Sequence, residues 1–297
     1  MSSAVERPVT GANGIALRAR EWGDRNNSTI LLVHGYPDNS DVWLPVIERL
    51  TSRFHVVTYD VRGTGGSQPG EKFGGYGLDL LVADLASVLD QVVPRGRKVH
   101  LVAHDWGSIQ SWEAVLDPHV AEHISTYTYF GAPALDHAAH WLRGLVKPDA
   151  ESLGSLAGQL AKSWYIMMFQ LPLVAPFLWR NGLDKIFPAV VGKIEGLRPE
   201  DLPTPAELQK DGAYGVGMYR ANFIPKLLNP GEGRTNLPVQ VIETTKDPFV
   251  HKGLIDEAAR RVPNLVHRQI DAGHWVQRSH PEEVAKLIIQ FIDNPRG

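Results

Sequence analysis

Short apolar runs along the chain alternate with stretches in which apolar residues recur at helical spacing. Residues 15–22 alternate apolar and polar side chains, which is typical of a half-exposed strand. Apolar runs, or renewed alternation, predict further strands at residues 29–33, 54–59, 99–102, 124–130, 239–243 and 265–270. Helical spacing predicts helices at residues 41–50, 78–93, 106–116 and 281–292, the first of them capped by Ser40-Asp41.

The pattern changes in the middle of the chain. Residues from about 134 to 225 have helical spacing, are rich in aromatic residues and are interrupted by proline, and no strand stands out. Strands that alternate with helices on either side of this block predict a mostly parallel α/β sheet flanked by helices. We therefore expect a core made of residues 1–133 and 226–297, with a helical cap inserted at residues 134–225.

Composition and charge exclude several classes of function. The 297 residues carry a net charge of −3 and no cysteine, so thiolate metal sites are excluded and no basic patch favours nucleic acid. The N-terminus lacks the apolar core of a signal peptide, and no uncharged apolar stretch reaches the ~20 residues that span a bilayer. The most apolar region, residues 164–179, is broken by two prolines and is expected to be buried or to line a substrate site. These features predict a cytoplasmic protein.

The sequence Ala103-His104-Asp105-Trp106-Gly107 follows the strand predicted at residues 99–102 and precedes a predicted helix. An acidic residue thus lies on a tight strand-to-helix turn flanked by small residues, as in a nucleophile elbow where hydrolases usually carry serine. A carboxylate attacks saturated carbon and forms an alkyl-enzyme ester, whereas serine attacks a carbonyl group. Asp105 is therefore the predicted nucleophile.

Two more polar residues follow predicted strands, whose carboxyl ends meet at one edge of a parallel sheet. His274 is expected to activate the water that hydrolyses the ester. Asp247 is expected to orient the imidazole and to stabilise its cation. Glu243 and Asp271 are rivals for this role, but Glu243 lies inside its strand and Asp271 is too near His274 in sequence.

The backbone N–H groups of Tyr36 and Trp106 are expected to form the oxyanion hole for the tetrahedral intermediate. His104 lies beside the predicted nucleophile, but its side chain should point away from the site, so a structural role is expected. Asp60-Val61-Arg62-Gly63 is expected to be a turn that braces the neighbouring loops.

Four motifs together make the chain resemble an α/β-hydrolase-fold epoxide hydrolase. They are His34-Gly35-Tyr36-Pro37-Asp38, Asp60-Val61-Arg62-Gly63-Thr64-Gly65-Gly66-Ser67, the elbow around Asp105, and Gly273-His274-Trp275-Val276-Gln277 ahead of His280-Pro281-Glu282-Glu283. The resemblance extends from about residue 8 to residue 293 and is specific to epoxide hydrolases and their dehalogenase relatives. It implies the α/β-hydrolase fold and the conversion of an epoxide and water to a vicinal diol, with no metal or organic cofactor.

The resemblance also implies two cap tyrosines that donate hydrogen bonds to the epoxide oxygen as the ring opens. Tyr165, four residues before Phe169-Gln170, matches the first, and Tyr219, followed by Arg220, matches the second. The apolar composition of the cap predicts a small hydrophobic epoxide substrate. The side chains expected to contact it are Trp164, Met168, Phe169 and Phe177.

Two alternatives remain open. A haloalkane dehalogenase would use the same Asp-His-Asp triad and two halide donors, one from the indole of Trp106 and one from Trp164 or Trp179. Tyr36 stands where one dehalogenase subclass carries asparagine, which counts against that subclass. A non-catalytic ligand-binding member of the fold would keep the pocket without turnover, and the intact triad argues against it.

Residues 162–178 and the sequence Thr244-Thr245-Lys246-Asp247 are also similar to the hydrolase half of bifunctional actinobacterial proteins. In those proteins a short-chain dehydrogenase domain follows the hydrolase. The chain ends at Gly297, where such a hydrolase domain would end. We therefore expect either a standalone enzyme or one domain of a longer chain.

Overall fold

The computed structural model describes residues 4–72, 74–146, 149, 152–154, 157–159 and 163–296. A sheet at its centre contains β1 (Val5–Thr10), β2 (Ala16–Trp22), β3 (Thr29–Val33), β4 (His55–Tyr59), β5 (Val99–His104), β6 (Ile124–Phe130), β7 (Val239–Thr244) and β8 (Leu265–Ile270). The eight strands follow the spatial order β1-β2-β4-β3-β5-β6-β7-β8. β1 pairs antiparallel with β2 and β2 with β4, and all the other pairs are parallel. The predicted α/β class is therefore confirmed.

Most strands that the apolar pattern predicts are largely buried, but the edge strand β8 is also predicted although only its last residue, Ile270, is buried. Every residue of β3 and β4 is buried, because helices cover both faces of the sheet there. The apolar pattern does not predict β1, where Val9 is the one buried residue of an edge strand. An edge strand that faces solvent has no need of the alternation by which buried strands are recognised.

Helices pack on both faces of the sheet. They are α1 (Leu44–Leu50), α2 (Leu78–Val92), α3 (Trp106–Leu116), α4 (Pro118–Ala121), α5 (Leu135–Gly144), α6 (Trp164–Phe169), α7 (Val174–Leu178), α8 (Asp184–Glu195), α9 (Pro205–Leu228), α10 (Lys252–Arg261), α11 (Val276–Ser279) and α12 (Pro281–Asp293). The interiors of α2, α3 and α12 bury the apolar residues that helical spacing predicts, so these helices begin and end within one residue of their predicted bounds.

The start of the first predicted helix differs from the expectation. The side chain of Asn39, not Ser40-Asp41, begins the turn by accepting a hydrogen bond from the Asp41 N–H at 3.0 Å. A 3-10 turn at Ser40–Trp43 then precedes α1. The Ser40 hydroxyl has other partners, since it donates to Asp60 at 2.5 Å and accepts from Arg20 at 2.7 Å.

The residues between β6 and β7, numbered 134–228 and called here the helical segment, contain α5 to α9. No strand occurs among its described residues. Its last helix, α9, is capped by Thr204 and Glu207 in a reciprocal capping box and runs on to Leu228, beyond residue 225. In the described part of the chain, no helix is both long and apolar enough to cross a membrane.

Two buried polar side chains of α9 hold the helical segment against the loops that follow the strands. Asp211 accepts hydrogen bonds from the Asn39 side chain and from the Gly65 N–H, each at 3.0 Å. Asn222 accepts from the Leu78 N–H at 2.8 Å. These bonds fix the inner face of α9 above the carboxyl edge of the sheet.

The turn after β4 braces these loops, as its sequence predicts. Asp60 accepts hydrogen bonds from the Ser40 N–H at 3.0 Å and from the Gly66 N–H at 2.7 Å. Arg62 forms two hydrogen bonds with Asp84 of α2, at 2.7 and 2.8 Å. The side chains of this ion pair are only 2% and 1% exposed.

We expect Arg62→Ala to lower the free energy of unfolding by about 3–5 kcal/mol, because it leaves the buried charge of Asp84 without its cationic partner. The measurement is urea unfolding followed by circular dichroism. The matched control is Arg53→Ala, which removes an arginine whose ion pair with Asp293 is half exposed, at 50% and 48%. The control should leave the unfolding midpoint nearly unchanged. Equal losses in the two variants would contradict this view of the Arg62–Asp84 pair.

Candidate active site

Asp105 lies on a strained turn between β5 and α3. Its backbone has φ 51° and ψ −123°, a positive φ that non-glycine residues rarely adopt. The turn can be this tight because Gly107 passes against the carbonyl oxygens of Val33 and His34, where a Cβ atom would collide. The carboxylate is thereby presented at the carboxyl edge of the sheet, as the elbow sequence predicts.

Two backbone N–H groups point at the Asp105 carboxylate. The Tyr36 N–H donates to Oδ1 at 2.7 Å, and the adjacent Trp106 N–H also acts to lower the pKa of this carboxyl. Gly35 allows the approach, since a Cβ atom there would overlap the Asp105 side chain. The two donors predicted for the oxyanion hole therefore lie together on the predicted nucleophile.

Burial dominates the ionisation of Asp105. It raises the pKa of this carboxyl to about 6, although the charge of His274 and the two backbone N–H groups act to lower it. The group is therefore ionised at neutral pH but poorly hydrated. A carboxylate in that state is a better nucleophile than one surrounded by water.

His274 lies between two carboxylates. Its Nδ1 is 2.8 Å from Asp247 Oδ2, and its Nε2 is 3.7 Å from Asp105 Oδ2. Asp247 is oriented in turn by the Phe249 N–H, which donates to its Oδ1 at 2.7 Å. The structure thus brings together Asp105, His274 and Asp247, which follow three different strands.

Burial acts to lower the pKa of His274, but the charge of Asp247, its hydrogen bond and the charge of Asp105 together raise it. Burial acts to raise the pKa of Asp247, but the charge and hydrogen bond of His274 lower it. The resting site therefore favours an imidazolium between two carboxylates. Removal of either negative charge makes the neutral imidazole easier to form.

The two rival carboxylates have other partners. Glu243 contacts His267 at 2.6 Å, and Asp271 accepts from Lys246 at 2.8 Å. Both pairs lie away from His274. Their geometry leaves Asp247 as the carboxylate that contacts the imidazole.

The His104 ring packs against the His274 ring, with centroids 4.6 Å apart, so it lies closer to the site than its position beside Asp105 predicts. Its Nε2 is 3.0 Å from the His274 carbonyl oxygen, and its Nδ1 is 3.0 Å from the Gln277 side-chain nitrogen. Burial holds the pKa of His104 well below its usual range, so the ring is neutral. It supports the loop that carries His274 and contributes no charge to the site.

Tyr165 on α6 and Tyr219 on α9 face Asp105 from the helical segment. Their rings meet edge to face with centroids 6.2 Å apart, and Tyr219 packs against the Trp106 indole at 4.7 Å. Burial, together with the negative charge of Asp105, raises the pKa of both phenols above its ordinary value. Both tyrosines are therefore neutral hydrogen-bond donors at any working pH.

Two cavities adjoin each other at Asp105 and the two tyrosines. The larger cavity, of about 440 Å³, and the smaller cavity, of about 100 Å³, share Asp105, Tyr165, Tyr219 and Phe249 as walls. Trp164, Met168 and Phe169, which the sequence predicts to contact substrate, line the larger one. The smaller one extends towards Leu135, Trp141 and Phe223. The space on either side of the carboxylate is therefore mostly apolar.

Phe177 does not line either cavity, so the prediction that it contacts substrate there is wrong. It borders a separate groove with Leu173 and is 63% exposed. The inner face of α7 is formed by Ala175, with Trp179 one turn further on, and both are buried. Phe177 lies between them in sequence and is therefore on the outer face. Residues 164–179 are thus only partly buried, contrary to expectation.

The sequence model of the alpha/beta hydrolase fold family matches residues 28–281 of this chain. The chain belongs to the alpha/beta hydrolase fold family. Among curated alpha/beta hydrolase relatives, it is 32% identical over 300 residues to "Probable oxidoreductase EphD" of Mycobacterium tuberculosis, an alignment that covers 99% of this chain and 50% of that protein. The chain thus spans about half the length of this relative, which agrees with the expected resemblance to part of a longer protein.

Other alpha/beta hydrolases match the chain from end to end. "Epoxide hydrolase A" of Mycobacterium tuberculosis is 27% identical over 333 residues, with 98% of each chain covered. A crystal structure of an epoxide hydrolase from Bacillus megaterium with an inhibitor superposes with a TM-score of 0.79 at 25% identity and covers 98% of this chain and 100% of that one. The expected resemblance to epoxide hydrolases of this fold is therefore confirmed.

Two residues of this alpha/beta hydrolase site are not apparent from its sequence motifs. Glu195, at the end of α8, accepts a hydrogen bond from the His274 N–H at 2.8 Å. Phe249 packs edge to face on the His274 ring, with centroids 4.9 Å apart. The position of Phe249 two residues after Asp247 could have suggested its role. Glu195 has no such signal, because it is 79 residues from the histidine that it contacts.

We expect Asp247→Asn to lower the pKa of the His274 imidazolium by about one to three pH units, since a charge and a charge-assisted hydrogen bond are lost. Nitrogen-15 NMR titration of the histidine ring measures the change. Asp271→Asn is the matched control, because this exposed carboxylate is paired with Lys246 and should leave the His274 titration unchanged. An unaltered titration in Asp247→Asn would show that Asp247 does not control this imidazole.

Proposed function

We propose that this chain is an epoxide hydrolase that converts hydrophobic epoxides to vicinal diols through an ester on Asp105. The observation that carries the proposal is the pair of neutral phenols, Tyr165 and Tyr219, facing a buried carboxylate across an apolar space. Relatives named epoxide hydrolases, which align over the whole chain, support the same reaction.

In the first step, Asp105 attacks one carbon of the epoxide ring. A new bond joins its carboxylate oxygen to that carbon while the ring C–O bond breaks. The released oxygen gains negative charge, and a hydrogen bond or proton from Tyr165 or Tyr219 stabilises it. The raised pKa of these phenols suits them to this role, because they remain protonated until the alkoxide forms.

In the second step, water hydrolyses the ester. His274 removes a proton from water, and the resulting hydroxide attacks the carbonyl carbon of the Asp105 ester. Alkylation has by then removed the charge of Asp105, one of the groups that raise the pKa of His274. The imidazole thereby becomes available as a base once the ester has formed.

The oxyanion of the tetrahedral intermediate develops on the Asp105 side chain itself. The N–H groups of Tyr36 and Trp106, already directed at this carboxylate, stabilise it there. Collapse of the intermediate releases the diol and restores the Asp105 carboxylate. Asp247 holds the imidazole during this step and stabilises its cation.

The helical segment would act as the cap over the site, as the division at residues 134–225 implies. It contributes Tyr165 and Tyr219 together with the apolar walls Trp164, Met168 and Phe169. Apolar walls on both sides of Asp105 favour an epoxide with hydrophobic substituents.

The dehalogenase alternative is less well supported by the two indoles that could supply a second halide donor. The Trp179 indole N–H donates to the Tyr36 hydroxyl, and the Trp164 side chain is 63% exposed.

His274→Gln is expected to accumulate a covalent ester when it is mixed with an alkyl epoxide, because attack by Asp105 continues while hydrolysis is blocked. Mass spectrometry of the peptide that contains Asp105 should show the mass of one epoxide added. Asp105→Asn is the control and should remain unmodified. In wild-type protein, a single turnover in oxygen-18 water should place the label in Asp105.

If His274→Gln forms no ester with an epoxide that the wild type hydrolyses, the aspartyl mechanism is wrong. Release of halide from bromoalkanes, with no diol from any epoxide, would instead favour the dehalogenase.

Tyr165→Phe and Tyr219→Phe should each slow ester formation by about 10²-fold or more, since each removes a proton donor from the ring oxygen. Rapid-quench measurement of the ester isolates this step. Tyr214→Phe is the matched control: it lies on the same helix as Tyr219 but is 37% exposed and should react at the wild-type rate. Unchanged rates of ester formation in both site variants would show that the tyrosines do not take part in the mechanism. That outcome would not contradict the roles proposed for Asp105, His274 and Asp247.

A further inference from the structure

Exposed apolar side chains are concentrated on one part of the helical segment. Nine of the fifteen large apolar side chains that are exposed in the described residues lie between Trp164 and Ile194. Among them, Met167 is 66% exposed, Leu173 is 70% exposed and Phe177 is 63% exposed. We call the outward side chains of residues 164–194 the apolar face. Such a concentration of exposed apolar side chains is typical of an interaction site.

The helix α8 within this face carries apolar side chains on its outer side as well as on its inner side. Ile186, Val190 and Ile194 follow at intervals of four residues and form one exposed stripe, with side chains 57%, 48% and 63% exposed. Val191 on the other side of α8 is buried. A surface helix normally turns such a stripe inward and its charges outward. Nothing in the described part of the chain covers this one.

The exposed charges of the apolar face are all positive. Residues 164–194 contain Arg180, Lys185 and Lys193, and these three side chains are exposed. The one acidic residue there, Asp184, is buried and accepts from the Gly182 N–H at 3.0 Å and from Gln209 at 2.9 Å. The whole chain has a net charge of −3, so this face differs in sign from the molecule as a whole. It is complementary to an anionic partner.

The apolar face is also continuous with the active site. Trp164 is 63% exposed and at the same time lines the larger cavity beside Asp105. A molecule held against the face is therefore next to the opening of the site.

We propose that the apolar face docks on the surface of an anionic lipid layer. Apolar side chains would enter the boundary between headgroups and acyl chains, while Lys185 and Lys193, each next to an exposed isoleucine, would contact the headgroup charges. A second copy of the chain fits this face less well. In a two-fold dimer the same patch meets itself, so its three cations would face one another without acidic partners.

The test uses the full chain and sedimentation with vesicles. Wild-type protein should bind vesicles of equimolar phosphatidylcholine and phosphatidylglycerol, and bind vesicles of phosphatidylcholine alone at least tenfold more weakly. The triple variant Met167→Ser, Leu173→Ser, Ile186→Ser should lose at least tenfold in affinity for the anionic vesicles. Lys185→Glu with Lys193→Glu should show a similar loss.

The matched control is Leu228→Ser, which removes a side chain that is 67% exposed at the end of α9, outside the face. It should bind vesicles like the wild type. Circular dichroism and turnover of a water-soluble substrate establish that each variant is folded, since none of the changed residues lines the site.

Equal vesicle binding by the wild type and the triple variant would overturn the proposal, and so would an absence of binding to anionic vesicles. Equal affinity for neutral and anionic vesicles would overturn the role of the cations. If wild-type protein sediments as a dimer that the triple variant lacks, and no vesicle binding occurs, the face is a contact between copies of the chain. These outcomes do not depend on the reaction at Asp105.

Discussion

A carboxylate that is removed from water must be surrounded by N–H groups or positive charge, and much of this structure meets that requirement for Asp105. Its turn has a positive φ because α3 starts immediately after β5, and Gly35 and Gly107 let neighbouring backbone come close. The loop that carries Tyr36 is held in turn by His34, whose ring accepts the Val61 N–H at 2.9 Å. The bracing bonds of the turn after β4 therefore stabilise the donor geometry at Asp105, although none of them touches this residue.

The buried strands and the Asp-His-Asp arrangement could be predicted from the sequence because each corresponds to a local sequence pattern. A strand that is covered on both faces must be apolar. An acidic residue on a tight turn between a strand and a helix with glycine in its first turn has few structural roles. A side chain whose position depends on packing against residues far away in sequence has no such local pattern. Phe177 and Trp179 are both aromatic, yet one faces solvent and the other is buried, because the direction of α7 is set by its contacts with α9. Glu195 reaches His274 only because α8 ends above that loop.

The helical segment combines two opposite requirements. Its inner side carries Tyr165, Tyr219 and the buried Asp211, which are fixed by packing and by hydrogen bonds to the core. Its outer side leaves apolar side chains and cations free, a composition that costs solubility and is retained only where contact with another surface compensates for it. Trp164 belongs to both sides, so the chemistry and the proposed contact surface are joined at one residue.

Tyr36 connects the two halves of the molecule through its two ends. Its backbone N–H donates to Asp105 at 2.7 Å, while its hydroxyl donates to the Gly212 carbonyl at 3.0 Å and accepts from the Trp179 indole. Positions in the helical segment therefore differ in how freely they can be changed to alter the substrate range. Changes at Trp179 or Gly212 would move the N–H donor at Asp105 and, in the proposed mechanism, would reduce turnover for every substrate alike. Libraries built on Trp164 and Met168, which line the cavity, would change selectivity while leaving the N–H donor of Tyr36 in place.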